Sequence, residues 1–391
     1  MLTGLAFIFL FGILIGAIFK RLRLSALIGM LITGIILGPH VLNLLDASIL
    51  SIAGELRELA LIIILTRAGL SLEVSELRRV GRPAALMCFV PACFEIAGTM
   101  LLAPRLLNIS LIEAMILGAV IAAVSPAVVV PKMLNLMEKR IGTAKFIPQM
   151  IMAGASVDDV FVIVIFTAAT GIAQGGTLSA ASALQIPFSI VTGLLIGAVA
   201  GVALNEFFVR SRLRNSLKVI TLLSVSFLLV ALEHAAPFPF SGLIAVMASG
   251  TAIQKRNPAL AATLALKYSK LWVGAEVLLF VLVGAAINIG YARAAGLATV
   301  ALILGALVFR MAGVTASLVK TKLNVRERTF CLFAYMPKAT VQAAIGSVPL
   351  ALGLPCGEMV LTVAVLSILI TAPVGAFLID LTHKRLLTQD D

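Results

Sequence analysis

Asp158 and Asp159 stand side by side in an apolar run, Gly154-Ala155-Ser156-Val157-Asp158-Asp159-Val160-Phe161. Carboxylates are hard oxygen ligands suited to small hard cations, and they also bind protons. Neighbouring residues of a helix point about 100° apart, so the two acids face different surroundings. One can face a cavity while the other meets a fixed positive charge. A carboxylate that takes either a small cation or a proton makes the two compete for one place. Few other charges interrupt the apolar runs: Glu95 and Glu276 among the acids, and Arg57, Arg67, Arg310 and Lys338 among the bases.

The elements that must hold these residues follow from composition. The 391-residue chain is 61% hydrophobic and 12% charged, with a mean hydropathy of +1.13. A soluble domain has roughly 45–50% apolar and about 25% charged residues. Disorder, coiled coil, collagen and nucleic-acid binding are excluded together, and an integral membrane protein remains. Spans need about 20 apolar residues. Thirteen segments qualify, at roughly 2–19, 24–42, 50–70, 83–103, 110–131, 148–172, 184–208, 217–234, 239–254, 271–289, 294–318, 329–351 and 358–380. The expected fold is an all-α polytopic bundle forming a single transmembrane unit over 1–391. The first segment runs directly into Lys20, Arg21 and Arg23, which reads as a retained span rather than a cleaved leader. Cys88, Cys93, Cys331 and Cys356 show no CxxC spacing, and with three histidines they suggest neither a metal nor a haem site.

Alternate loops carry 24 and 2 of the Lys and Arg residues. The basic set covers 20–23, 71–82, 132–147, 209–218, 254–270, 319–328 and 384–385; the other holds Arg105 and Arg293. The positive-inside rule then predicts a cytoplasmic C-terminus and an external N-terminus, with an odd number of spans. A charge at the bilayer centre costs at least about 2.5–3.5 kcal/mol. The charges left inside spans therefore need partners or a water-filled path.

Two spans are interrupted. One reads Val124-Ser125-Pro126-Ala127-Val128-Val129-Val130-Pro131, the other Tyr335-Met336-Pro337-Lys338-Ala339-Thr340-Val341-Gln342. Proline removes a helix donor and clashes with the preceding turn, and freed backbone groups cannot face lipid. Pro126, Pro131, Pro337 and Thr340 therefore mark expected helix breaks. The second interrupted span is the seventh after the first, so the two run in opposite directions. A shift of 211 residues carries Pro126 onto Pro337, brings Glu95 within about one turn of Arg310, and sets Ile370 against Asp159. Interrupted helices at corresponding places of an inverted repeat point to a secondary transporter's site.

These three motifs, with Pro337-Lys338-Ala339-Thr340-Val341-Gln342-Ala343-Ala344-Ile345-Gly346, resemble the monovalent cation:proton antiporter-2 superfamily, and most closely its sodium/hydrogen exchanger 9B subfamily. The resemblance covers essentially the whole chain. It implies two crossing broken helices, exchange of Na⁺ or Li⁺ for H⁺ without a cofactor, a homodimer, and a place in the inner membrane. The absence of the long N-terminal extension of eukaryotic members suggests a bacterial source. The resemblance also implies a core of helices at about 50–172 and 294–380, a scaffold and dimerisation set at about 2–42 and 217–254, and a connector at 184–208. Asp159 matches the acid that binds ion and proton, Asp158 its companion, and Ser125 a hydroxyl in the first break. Arg310 occupies the span where many relatives have Lys, and a guanidinium does not readily release a proton near neutral pH.

Glu95 and Lys338 are expected to form a buried pair near the crossing. There Lys338 would offset the negative half-helix ends and Glu95 the positive ones. Arg67 is expected to snorkel or meet a core acid. Arg57, Glu55 and Glu58 are expected to be solvated. A K⁺/H⁺ antiporter is the nearest alternative. A solute symporter, a channel and an intramembrane enzyme fit less well. Adjacent acids on one helix diverge, and His40, His234 and His383 lie at span ends.

Overall fold

The computed structural model of the chain describes residues 1–22, 25–72, 81–174, 180–211, 213–236 and 238–389, without the side chains of Ser156, Val160, 180–187, His234, Ile289 and 291–295. Of the basic loop residues, Arg23, Arg78, Arg79 and Arg212 lie outside the described residues, as does the side chain of Arg293. Among the described residues every named element is a helix. They are α1 (Leu2–Arg21), α2 (Ala26–Leu37), α3 (Ala47–Leu50), α4 (Ala53–Ser71), α5 (Arg82–Met87), α6 (Val90–Leu107), α7 (Leu111–Ala122), α8 (Pro126–Glu138) and α9 (Ile147–Ala173). Then follow α10 (Ala180–Arg210), α11 (Asn215–Ala235), α12 (Gly242–Arg256), α13 (Pro258–Ala285), α14 (Ile289–Ser317), α15 (Val325–Ala334), α16 (Thr340–Ile345), α17 (Val348–Ala351) and α18 (Gly357–Leu386).

Each of the thirteen expected segments falls on a helix or on a broken pair of helices. Among the described residues nine stretches are long and apolar enough to cross a membrane, with shorter apolar helices at Ala26–Leu37 and Thr340–Ala351. The 211-residue offset carries α1 onto α11, α2 onto α12, α4 onto α13, α6 onto α14, α7–α8 onto α15–α16 and α9 onto α18, each over half or more of its length. Helix α10 is left without a counterpart. One expected loop, 254–270, is almost entirely helical. Asn257 accepts from the Leu260 amide at 3.1 Å, and Pro258 opens α13, where its missing N–H is harmless.

The chain divides into two compact units. The first holds Met1–Gly54, Glu76–Gln174 and Leu279–Asp391. Within it, helix α6 is pressed from two sides. A Cβ at Gly313 of α14 would sit 2.7 Å from the Pro91 Cα, and one at Gly118 of α7 would sit 3.2 Å from the Ile96 Cα. Small residues of this kind let membrane helices approach backbone to backbone. Glu95 lies between these two contacts in sequence and is thereby held in the interior. Helices α7 and α15 each begin with a capping box. Ser110 with Glu113 and Asn324 with Glu327 exchange side-chain and main-chain hydrogen bonds of 2.8–3.3 Å. The two half-helices that lead into the breaks thus have defined starts.

The second unit holds Glu55–Ser75 and Gly175–Leu278. Within it, Gly193, Gly197 and Gly201 seat α10 against the main-chain oxygens of Ser241, Ala245 and Ser249, four residues apart on both sides. Glu233 accepts from the Gly242 amide at 2.8 Å and caps α12. Arg57 is buried, 9% exposed, which corrects the expectation that it is solvated. It shares a helix face with Ala60 and Leu61, also buried, while Glu55 and Glu58 are exposed.

Candidate functional site

The first broken helix ends α7 at Ala122, runs extended through Ala123 and Ser125, and restarts as α8 at Pro126. The second ends α15 at Ala334 and restarts as α16 at Thr340. Ser125 donates its amide to the Pro337 carbonyl at 2.8 Å, so the two breaks touch main chain to main chain. Pro131 lies inside α8 rather than in the break, which corrects its expected place. Pro126 alone supplies the restart, at the first helical position, where proline fits.

Buried backbone groups must find partners, and here side chains from other helices supply them. Arg310 of α14 donates Nε to the Tyr335 carbonyl at 2.8 Å and Nη1 to the Ala122 carbonyl. Gln342 donates Nε2 to the Ala123 carbonyl at 2.7 Å. The Val124 amide donates to Asp158 Oδ2 at 2.9 Å, and the Lys338 amide to Thr371 Oγ1 at 3.1 Å. Arg310 therefore caps the C-terminal ends of both half-helices α7 and α15, where the helix dipole is negative. This corrects the expectation that Lys338 fills that role; its ammonium is turned to Glu95 instead.

The same guanidinium joins the buried acids. Nη1 meets Glu95 Oε2 and Nη2 meets Asp158 Oδ2, each at 2.9 Å. Lys338 Nζ lies 2.7 Å from Glu95 Oε1 and donates to Oε2 at 2.8 Å. Glu95, Asp158 and Arg310 are 0% exposed and Lys338 1%. The Arg310 guanidinium also lies 5.4 Å from the centre of the Tyr335 ring, within cation–π range. Five donors in a planar fork let one arginine serve two carboxylates and two carbonyls. The four charges sum to zero, and each is matched within hydrogen-bond reach, the condition for retaining buried ions.

Asp159 stands outside this balance. Its Oδ1 is buried with no hydrogen-bond partner, and among the described residues it joins no ion pair. Other buried oxygens without a hydrogen-bond partner include Ser125 Oγ in the first break, Asp158 Oδ1, and Gln342 Oε1 one turn past the second. Carboxylate, hydroxyl and amide oxygens are all hard donors by type. Among the described residues no group of three or more His, Cys, Asp or Glu side chains is placed to hold a metal.

Of the residues singled out from sequence, the structure joins Asp158, Ser125, Arg310, Glu95, Lys338 and Pro337 in one connected cluster. Thr340 opens α16 as a buried residue. Arg67 belongs to the second unit, where Glu276 is the charge acting on it. The cluster also contains Gln342, Tyr335 and Thr371, which sequence reasoning did not assign. Gln342 carried a signal, being a polar residue one turn beyond a break in an apolar span.

The chain matches the family model described as "Sodium/hydrogen exchanger, transmembrane" over residues 6–383. It is 33% identical to the sodium/hydrogen exchanger 9B2 of Mus musculus over 413 residues, covering 100% of this chain and 74% of the relative. To the human 9B2 protein it is 35% identical, covering 86% of this chain and 64% of the relative. To human sodium/hydrogen exchanger 9B1 it is 32% identical, covering 99% and 78%. These relatives are longer proteins. The sodium proton antiporter MjNhaP1 of Methanocaldococcus jannaschii superposes with a TM-score of 0.86 at 19% identity, covering 98% of this chain and 97% of that one, which establishes the fold. With its broken-helix crossing and its match along nearly the whole length, the chain belongs to the sodium/hydrogen exchanger family, membrane transporters rather than enzymes.

Proposed function

We propose that the chain exchanges Na⁺ or Li⁺ for H⁺ across the membrane, with the cation and the proton competing for Asp159. The observation that carries this is the charge balance at the crossing. Glu95, Asp158, Arg310 and Lys338 neutralise one another, and the adjacent Asp159 lacks a partner for its buried Oδ1. A lone carboxylate beside a neutral network needs one positive charge, and either a proton or a monovalent cation provides it. Arg310 acts as a fixed charge, because a guanidinium stays protonated. Ser125, Asp158 and Gln342 offer the remaining oxygens to the cation. The ion is cargo, and no cofactor takes part.

Alternating access follows from the same reading. The core helices at about 50–172 and 294–380 would move against a scaffold at about 2–42 and 217–254, with 184–208 as connector. The protein would work as a homodimer in the inner membrane, with its N-terminus outside and its C-terminus in the cytoplasm, an orientation that the 24-to-2 loop bias supports. The test is dye-reported proton flux in proteoliposomes with Na⁺, Li⁺ and K⁺ added separately. Flux with Na⁺ or Li⁺ is expected. Flux with K⁺ alone would instead support a K⁺/H⁺ antiporter, and flux without any added cation would remove the exchange mechanism.

A further inference from the structure

Away from the crossing, the loop between α8 and α9 and the loop after α14 enclose a cavity of about 310 Å³. Small-molecule sites begin at roughly this size, about 300–1,000 Å³. Arg82, Lys145, Lys320 and Lys322 line it, with Phe146 and Leu323 among its apolar residues. Lys145 is matched by Glu327 at 2.8 Å. Among the described residues Arg82 donates to the Val319 carbonyl, at 3.4 Å. Among the described residues no carboxylate pairs with Arg82, Lys320 or Lys322. Among the described residues the cavity therefore presents three cations without a carboxylate partner beside apolar side chains.

The backbone gives a second, independent sign. Among the described residues five non-glycine residues have positive φ, and two of them are asparagines, which tolerate that region. Of the other three, Phe146 (φ 54°) and Lys320 (φ 63°) both line this cavity. Strained positions of this kind cluster at ligand clamps. Both loops lie at helix ends: Phe146 precedes α9, and Lys320 follows α14. Each adjoins the end of a candidate membrane span, the level at which lipid head groups lie. Basic cavities at the ends of membrane helices select phosphate-bearing head groups, and the apolar lining residues suit the glycerol and upper acyl chain next to a phosphate.

We propose that this cavity binds a phosphate group, on an anionic phospholipid head group or free in solution. The pocket pair Lys320→Gln/Lys322→Gln tests it against the control pair Lys384→Gln/Arg385→Gln. All four positions are exposed, so both proteins should fold. The full chain in neutral detergent is titrated with phosphatidylglycerol, phosphatidylcholine or inorganic phosphate, reading melting temperature and, by native mass spectrometry, bound lipid. A rise in melting temperature with phosphatidylglycerol but not phosphatidylcholine is expected, falling by half or more in the pocket pair and unchanged in the control pair. The same pattern with inorganic phosphate assigns the site to the free ion as well, whereas its absence assigns it to lipid. Equal losses in both pairs would mean general attraction to basic loops and would overturn the site. So would no response to either phosphate source.

Discussion

Arg310 Nη2 and Asp158 Oδ2 meet at 2.9 Å with both side chains fully buried. This contact joins the ionic network to the backbone of the first break, because the same Oδ2 accepts the Val124 amide. The carboxylate of α9 thus holds the extended main chain of the break while the guanidinium caps two helix ends. Removing one partner of a buried pair typically costs about 3–5 kcal/mol. Arg310→Ala strips partners from Asp158, Glu95 and two carbonyls at once, and its loss of stability is expected at the top of that range. Asp158→Asn combined with Arg310→Gln should cost less than the sum of the single changes, with a coupling of about 0.5–3 kcal/mol. Thermal unfolding in detergent measures this. Additive losses would break the link between the two residues.

Asp159→Asn is expected to leave the fold intact and to reduce cation-driven proton flux to that of empty liposomes. The carboxamide keeps the shape and loses the charge for which cation and proton compete. Because Asp159 is in no ion pair among the described residues, its neutralisation exposes no bare partner. Normal exchange by the folded variant would move the ion site elsewhere.

The parts of this site that sequence makes visible are those written in local chemistry. The two prolines 211 residues apart give the repeat, and the polar residues beside them give the breaks. The Glu95–Lys338 contact could be anticipated because two opposite charges had to be buried in apolar spans. The capping boxes Ser110–Glu113 and Asn324–Glu327, which mark where each broken pair begins, went unread although their Ser/Asn-x-x-Glu spacing is a sequence signal. What sequence does not reveal is reach. Which base caps the helix ends depends on how closely α6, α7 and α14 approach, and that is set by packing at Gly118 and Gly313. Arg310 rather than Lys338 takes the carbonyls because its long planar fork spans both half-helices while remaining on Asp158. Pro131 was misplaced for a similar reason. A proline in the second turn of α8 is accommodated once Pro126 has already reset the chain.

Ser125→Ala separates a structural from a transport role for the hydroxyl. Ser125 Oγ is buried and has no hydrogen-bond partner, so its removal leaves no new group unsatisfied and should change stability little. If the oxygen contributes about 1–2 kcal/mol to holding the cation, the KM for Na⁺ or Li⁺ rises roughly 5–30-fold. Maximal flux should be less affected. Gln342→Leu should behave differently, because it also strips the Ala123 carbonyl of its donor, at about 1–3 kcal/mol of stability. A Ser125→Ala protein with unchanged KM would take the hydroxyl out of the ion's coordination.

Cation binding should be visible without transport. A ligand that binds the folded state alone stabilises it by about 2.7 kcal/mol at a hundred times its Kd, so Na⁺ or Li⁺ should raise the melting temperature in detergent relative to choline at equal ionic strength. Because the proton competes for the same carboxylate, that rise should shrink as pH falls, with half-saturation moving to higher cation concentration. Asp159→Asn should abolish the cation-dependent rise while retaining the fold. Glu95→Gln should retain a rise despite a lower starting melting temperature, because it breaks the Lys338 and Arg310 contacts without removing an oxygen assigned to the cation. The decisive comparison is between the two adjacent acids. A rise that survives Asp159→Asn but disappears in Asp158→Asn would place the cation on the Arg310 side of α9. The carboxylate already engaged in the ionic network would then be the one that carries the exchange.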